Sequence, residues 1–460
     1  MRRRKADLNR RVNRDVRVEF CESGLTSYAG LELLIRYFRR IDLNQLIRQQ
    51  LAGLPGDFGV TAMVRVVLGL LIVGGRRLRH VGYLIGDPLM ERFCGLATLP
   101  GRLTLSRWLQ RFTGIWIARL SALNAAVVAR AVHLLTGLRT LTIDVDGTVL
   151  STGMTVERAF RGFNPHHRKV PSYYPISAHL AETGHILRVK NRSGNINDGK
   201  ASITFLRELF VQIAATLGRA FRLRFRMDAD FFKETVLRLL IARGAGFAIK
   251  VPFWQWLDLQ QRIRECRRWK RVTGEVGCFE VRLPLKPWKL EMRVVIYRKV
   301  VHHRSAKNFQ LDLFDPNDGY FEYSAVATNL AVNGRDLWHF MCGRGLHEKV
   351  IGELKGGLAF DAIPTRHYGA NSAWQQLVAL AHNLITNFQI ETGAPRRHRS
   401  AKRTALHVLK SIHTLRFELF HRAGRIVRPD GVTTLRLARN EPMKRLFLRI
   451  AGHLERVQAA

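Results

Sequence analysis

Between Thr140 and Val251 the apolar residues change their spacing again and again, and this succession constrains the fold more than any other feature of the chain. Thr140-Leu-Thr-Ile-Asp-Val-Asp146 alternates as a buried strand does. Residues 174–180 and 185–190 read as two more strands, joined through the turn Glu182-Thr183-Gly184. Residues 200–218 carry helical spacing, 221–228 strand spacing, 233–243 helical spacing and 246–251 strand spacing. Such an order predicts an α/β layer architecture.

The order strand, strand, strand, helix, strand, helix, strand is that of an RNase H-like domain, expected here as a catalytic core over 136–251 and 330–395. Residues 252–329 interrupt it with alternating stretches that carry Trp254, Trp256, Trp269 and Trp288, and predict a β-rich insertion. Residues 1–135 read as a helical region, with Leu31, Leu33, Leu34 and Ile35, then Ile41, Leu43, Leu46 and Ile47, at helical spacing. Within it, residues 78–93, a break at Leu99-Pro100-Gly101 and residues 104–112 predict helix, turn, helix. Thr104 would be the N-cap, with Ser106, Arg107 and Arg111 on or near a face that meets DNA. Helical spacing returns over 337–389. A basic linker, 395–403, opens a small basic C-terminal region (396–460) that ends in a helix, a hairpin at Pro429-Asp430-Gly431 and a final helix.

Charge points to the partner. The 460 residues include 75 Lys or Arg against 36 Asp or Glu, a net charge of +39. A chain so basic along its whole length suits a polyanion, and double-stranded DNA is the expected partner, because neutralised phosphates release counterions. The hydrophobic share, 47%, is too high for a disordered chain of this charge. The most apolar run, residues 66–75, is about half of the roughly 20 residues a membrane span requires, so no membrane is expected. Five scattered cysteines, none in a C-x-x-C pair, argue against disulfides and zinc and for a reducing, cytoplasmic, nucleoid-associated location.

Acidic residues are scarce, so their clusters stand out. Asp144-Val-Asp146-Gly-Thr148 ends one strand with both carboxylates on one face, and Arg226-Met-Asp228-Ala-Asp230 ends another. A third cluster is helical, Arg344-Gly-Leu-His-Glu348-Lys-Val-Ile-Gly-Glu353-Leu-Lys355. Carboxylates at two strand ends and one helix suit a pair of Mg²⁺ ions about 3.5–4 Å apart, with Mn²⁺ as a substitute, for phosphodiester chemistry. A rival reading uses the same strand: Asp144-x-Asp146-x-Thr148 also matches the first motif of haloacid-dehalogenase-type phosphatases, in which the first Asp is the nucleophile. The later acidic motif of that family is missing.

On a continuous helix Met341, Arg344, Glu348 and Lys355 share one face, and Glu353 points elsewhere. This spacing resembles the Y-x2-R-x3-E-x6-K signature of cut-and-paste insertion-sequence transposases of the Asp-Asp-Glu (DDE) type. Met341 stands where that family has Tyr. Tyr368-Gly-Ala-Asn371 and Leu380-Ala-His-Asn383 are also similar to these transposases. The resemblance implies Asp146, Asp228 and Glu348 as metal-binding catalytic carboxylates, with Asp144 and Asp230 as possible substitutes. It implies Arg344 and Lys355 as phosphate clamps. It further implies Mg²⁺-dependent cleavage at terminal inverted repeats, strand transfer into target DNA and a homodimer on DNA. A DNA-binding protein that keeps the fold without the chemistry is the alternative.

Overall fold

The computed structural model describes residues 24–153, 155–162, 169–196, 198–302, 318–397 and 403–456. The arginine-rich residues 1–15, Cys21 and part of the basic linker lie outside them. A short strand, β1 (Leu25–Thr26), leads into α1 (Leu31–Arg40), α2 (Leu43–Leu51), α3 (Val60–Ile72), α4 (Pro88–Cys94), α5 (Arg102–Gln110) and α6 (Gly114–Ala129). Helix α3 is apolar nearly all round and lies inside, with its one charge, Arg65, over the rings of Phe93 and Phe38.

The helix expected over 78–93 is two elements. Residues Leu78–Tyr83 form 3₁₀ turns, Gly86 takes φ +83°, and the Asp87 carboxylate starts α4 by accepting the N–H groups of Leu89 and Met90, with Pro88 at the first helical position. Thr104 is not a cap either. Helix α5 begins at Arg102 directly after Gly101, so Thr104 lies within it.

The sheet follows in chain order as β2 (Thr140–Gly147), the small pair β3 (Leu150–Ser151) and β4 (Ser172–Tyr173), then β5 (Ile176–Leu180) and β6 (Ile186–Lys190). Helix α7 (Asp198–Thr216) leads to β7 (Arg222–Met227), and α8 (Glu234–Ala242) to β8 (Gly246–Lys250). After α9 (Leu259–Glu265) come β9 (Lys270–Arg271), β10 (Val276–Leu285), β11 (Leu290–Val300) and β12 (Phe321–Thr328). Nine strands join in the order β6-β5-β2-β7-β8-β12-β11-β10-β9. β2, β7 and β8 are parallel through the two helical crossovers, and the other pairings are antiparallel. Residues 252–329 therefore lengthen the sheet: β12 pairs directly with β8, Val326 opposite Lys250.

Helices α10 (Gly334–Cys342), α11 (Gly345–Leu358) and α12 (Tyr368–Glu391) return to the sheet. Helix α12 is buried along nearly all its length and covers the edge strand β6. Asn383 accepts from Ile186 N–H at 2.8 Å and donates to the Ile186 carbonyl at 2.8 Å, while Gln376 donates to the Val189 carbonyl at 2.7 Å. These amide side chains satisfy an edge that another strand would otherwise seek. The chain closes with α13 (Ile412–Leu415), one turn of π-helix over Arg416–Phe420, β13 (Gly424–Val427), β14 (Thr434–Leu437) and α14 (Glu441–Arg456).

Two large cores result. One lies between the sheet and its crossover helices, with Ile143, Val145, Phe225, Phe247, Phe205 and Leu237. The other runs from Leu31 and Leu68 through Trp374 and Leu384 to Phe420 and Leu454, so the first helices, α12 and the C-terminal segment share it. β1 pairs with β13, and the buried Arg416 donates to the carbonyls of Leu71, Ile72 and Gly357 at 2.7–2.8 Å, closing the ends of α3 and α11. Among the described residues no single helix is long and apolar enough to cross a membrane.

Candidate active site

Parallel pairing sets the two strand-end carboxylates side by side. Asp144 of β2 is opposite Arg226 of β7, so Asp146 and Asp228 lie two residues beyond, where the two strands stop pairing with each other while Asp146 still pairs with Ser177 of β5. Asp228 caps its own turn, accepting the Asp230 N–H at 3.1 Å, which fixes its direction. Asp144 points to the same face as Asp146 but lies fully buried. Both of its oxygens are held by the equally buried Arg226, Nη2 to Oδ2 at 2.7 Å, and His179 Nδ1 is 3.5 Å away. It cannot substitute at the surface of the site. Nor can it serve as the nucleophile that the phosphatase reading requires, since it has neither an open approach nor a free lone pair in the direction of solvent.

The third element arrives through a tightened turn rather than the single continuous helix expected from Met341 to Lys355. Arg226 Nη1 takes the Phe340 carbonyl at 2.8 Å, and Arg344 N–H bonds back to Met341 instead. Gly343 is required there, because a Cβ would meet Arg226 Nη1 at 2.1 Å. This turn aims Arg344 into the site. Its Nη2 is 2.7 Å from Asp146 Oδ2 and 3.6 Å from Asp228 Oδ2, and its Nη1 is 3.9 Å from Glu348 Oε1. Burial works against its charge, but Asp146 and then Asp228 and Glu348 outweigh that and hold its pKa above the ordinary arginine value. The Arg344 side chain is 15% exposed and that of Glu348 is 70% exposed, so the carboxylate on the helix faces solvent.

Lys355, further along α11, donates to the Val149 carbonyl at 3.1 Å; burial lowers its pKa, with Asp361 and Asp146 opposing. Glu353 is turned away, as its helical position requires, and accepts the Ile412 N–H at 2.6 Å. Arg107 and Arg111 are exposed on and just after α5, apart from the carboxylates. Trp254, Trp256 and Trp288 gather with Phe232, the first two stacked at 5.8 Å, and Trp269 packs on Phe279.

Sequence reasoning missed the layer beneath. His347 Nδ1 meets His179 Nδ1 at 2.7 Å, both rings buried. Burial first, then neighbouring positive groups, push both imidazoles well below the usual histidine range, so one neutral ring donates to the other. The available signal was a histidine, His179, in a fully buried strand of small and apolar residues. Beside Glu348 and Arg344 opens a cleft of about 340 Å³ lined also by Lys250, Lys299, Trp338 and Met341. Lys250, ending the apolar run of β8, was the clue to it.

Three carboxylates converging on one positive group are the oxygen donor set that a hard divalent cation takes. Among the described residues, no three such side chains stand close enough to hold an ion as they are, and the charge they surround is that of Arg344. Arg344 would have to give way before this set could take a divalent cation.

A mixed sheet with acidic strand ends and a helix-borne glutamate, on a chain this basic, is the arrangement expected of a protein that works on nucleic acid. The profile of the family described as transposase DDE domain, group 1, matches residues 8–459, and the chain belongs to that family of DDE-type DNA transposases. No curated protein sequence matches it. Among solved structures, the cryo-EM structure of the piggyBac transposase synaptic complex with hairpin DNA is similar at 10% identity and a TM-score of 0.40, over 96% of this chain and 85% of that one.

Proposed function

We propose that this transposase cleaves DNA at the ends of its element and joins the freed 3′-OH to target DNA, using Mg²⁺ held by Asp146, Asp228 and Glu348. The observation that carries the reading is the convergence of these three carboxylates, from β2, the turn after β7 and α11, on the single guanidinium of Arg344. The strand order of β6-β5-β2-β7-β8, with its parallel centre, supports an RNase H-like core. When bound, divalent ions supply charge that stabilises the attacking and leaving oxygens of a phosphodiester. The chain's own groups do the rest. Arg344, released from Asp146, turns to a phosphate beside the scissile bond, and Lys355, about 17 Å further along the helix, holds another. Asp228 stays aimed through its turn, and the His179–His347 contact seats the first turn of α11 against the sheet. Two copies, one per end, would make the cuts concerted, acting at the nucleoid.

Binding without catalysis is favoured by one observation, the pairing of Arg344 with the carboxylates. A cleavage assay separates the readings. Linear DNA carrying the inverted repeats that border the gene should be cut in Mg²⁺ and left whole in EDTA; binding with no cutting in either Mg²⁺ or Mn²⁺ rejects the catalytic reading.

A further inference from the structure

At the far end of α11 from the carboxylates lies an open cavity of about 650 Å³, lined by Arg76, Arg77, Arg79, Arg102 and Ser106 on one side and Ser151 and Asp361 on the other. Its only acidic lining residue is engaged: Asp361 is bidentate to Arg76 at 2.7 and 2.8 Å, and Arg76 also donates to the Lys355 and Gly356 carbonyls. Arg77, Arg79 and Arg102 are exposed and have no ion-pair partner among the described residues. No side chain caps the first turn of α5, which supplies Arg102, so its main-chain N–H groups add to the positive field. The cavity is tied to the catalytic end through Lys355, which bonds both β2's exit at Val149 and, through its own carbonyl, Arg76.

We propose that this cavity binds the phosphodiester backbone of the duplex held by the carboxylate site, with Arg77, Arg79 and Arg102 as the contacts; the proposal rests on the function put forward above. From Arg344 to Lys355 the helix rises about 17 Å at 1.5 Å per residue. At 3.4 Å per nucleotide, the phosphates reached are about five nucleotides from the scissile bond. α5 thus meets DNA through Arg102, about 140° around the helix from Arg107.

The test uses the full chain, terminal-repeat duplex and the triple variant R77A/R79A/R102A. The log–log salt slope of binding should fall by about 2.7, or about 0.9 per lost phosphate contact. Ethylation of phosphates about five nucleotides from the cut should interfere with binding of the wild type and not of the variant. The lysine triple variant should recover most of the slope. An unchanged slope, or interference only elsewhere, overturns the proposal while leaving the transposase reading intact. A wild-type protein whose DNA binding ignores salt overturns both. All three positions are exposed, and an unchanged melting temperature checks that the variants fold.

Discussion

Arg344 Nη2 stands 2.7 Å from Asp146 Oδ2, so the basic residue expected on a DNA phosphate is instead paired with a carboxylate proposed to hold metal. In the free protein this guanidinium neutralises the place that divalent ions are expected to take.

Arg344→Ala should therefore strengthen divalent binding in the absence of DNA. A charge-assisted bond is worth about 1.5–3 kcal/mol, so Mn²⁺ affinity, read by calorimetry, should rise roughly 10- to 100-fold. Equal affinity in variant and wild type would show that Arg344 does not compete for the site.

Glu348→Gln should abolish strand cleavage in Mg²⁺ and leave DNA binding intact. Its stability should change by only a few tenths of a kcal/mol, since the side chain is 70% exposed and 3.9 Å from Arg344. Glu353→Gln keeps the acceptor for Ile412 N–H and should cut normally, whereas Glu353→Ala should cost about 1 kcal/mol. If Glu348→Gln still cuts, the metal assignment is withdrawn.

The two aspartates on one strand face should fail differently. Asp144→Asn leaves the buried Arg226 without its counter-charge and should cost about 3–5 kcal/mol by denaturant titration. Asp146→Asn should keep the fold and lose cleavage. A stable Asp144→Asn protein would contradict the structural role given to this pair.

Histidine 185 makes acid sensitivity testable away from the site. Burial pushes its imidazole down to about 3, and it bonds Thr183 and Asn387 at 2.8 Å each. Because the folded value lies below the unfolded one, its stabilisation is full above about pH 6.5 and is lost as pH falls toward 3. Between pH 6.5 and 5 the loss is about 2 kcal/mol. Glu182, raised by burial to about 7, acts with the opposite sign, so the comparison is between wild type and His185→Gln. The variant should lose less stability between pH 7 and 5 in urea titrations; equal losses reject the assignment.

The central strands and their acidic ends are readable in the sequence because period two and the following turn are local properties. Asp144 and Asp146 are indistinguishable by spacing. What separates them is depth, set by Arg226 from β7 and His179 from β5, which no local pattern reports. The turn at Gly343 escaped for the same reason, because Arg226, more than a hundred residues earlier, takes the Phe340 carbonyl. Thr104 was a reasonable cap by residue type, but the helix begins as soon as Pro100-Gly101 is passed.

The pairing of β1 with β13 has a consequence for the chain's birth. Leu25 and Thr26 have their partners at Arg425 and Gly424, and the end of α3 is closed by Arg416. Domains generally fold as they emerge from the ribosome, N-terminal part first. Here the first helices leave it with their core incomplete and stay so until the last segment has been translated. A gene interrupted near its end thus leaves this helical core without the last strands and helix that complete it.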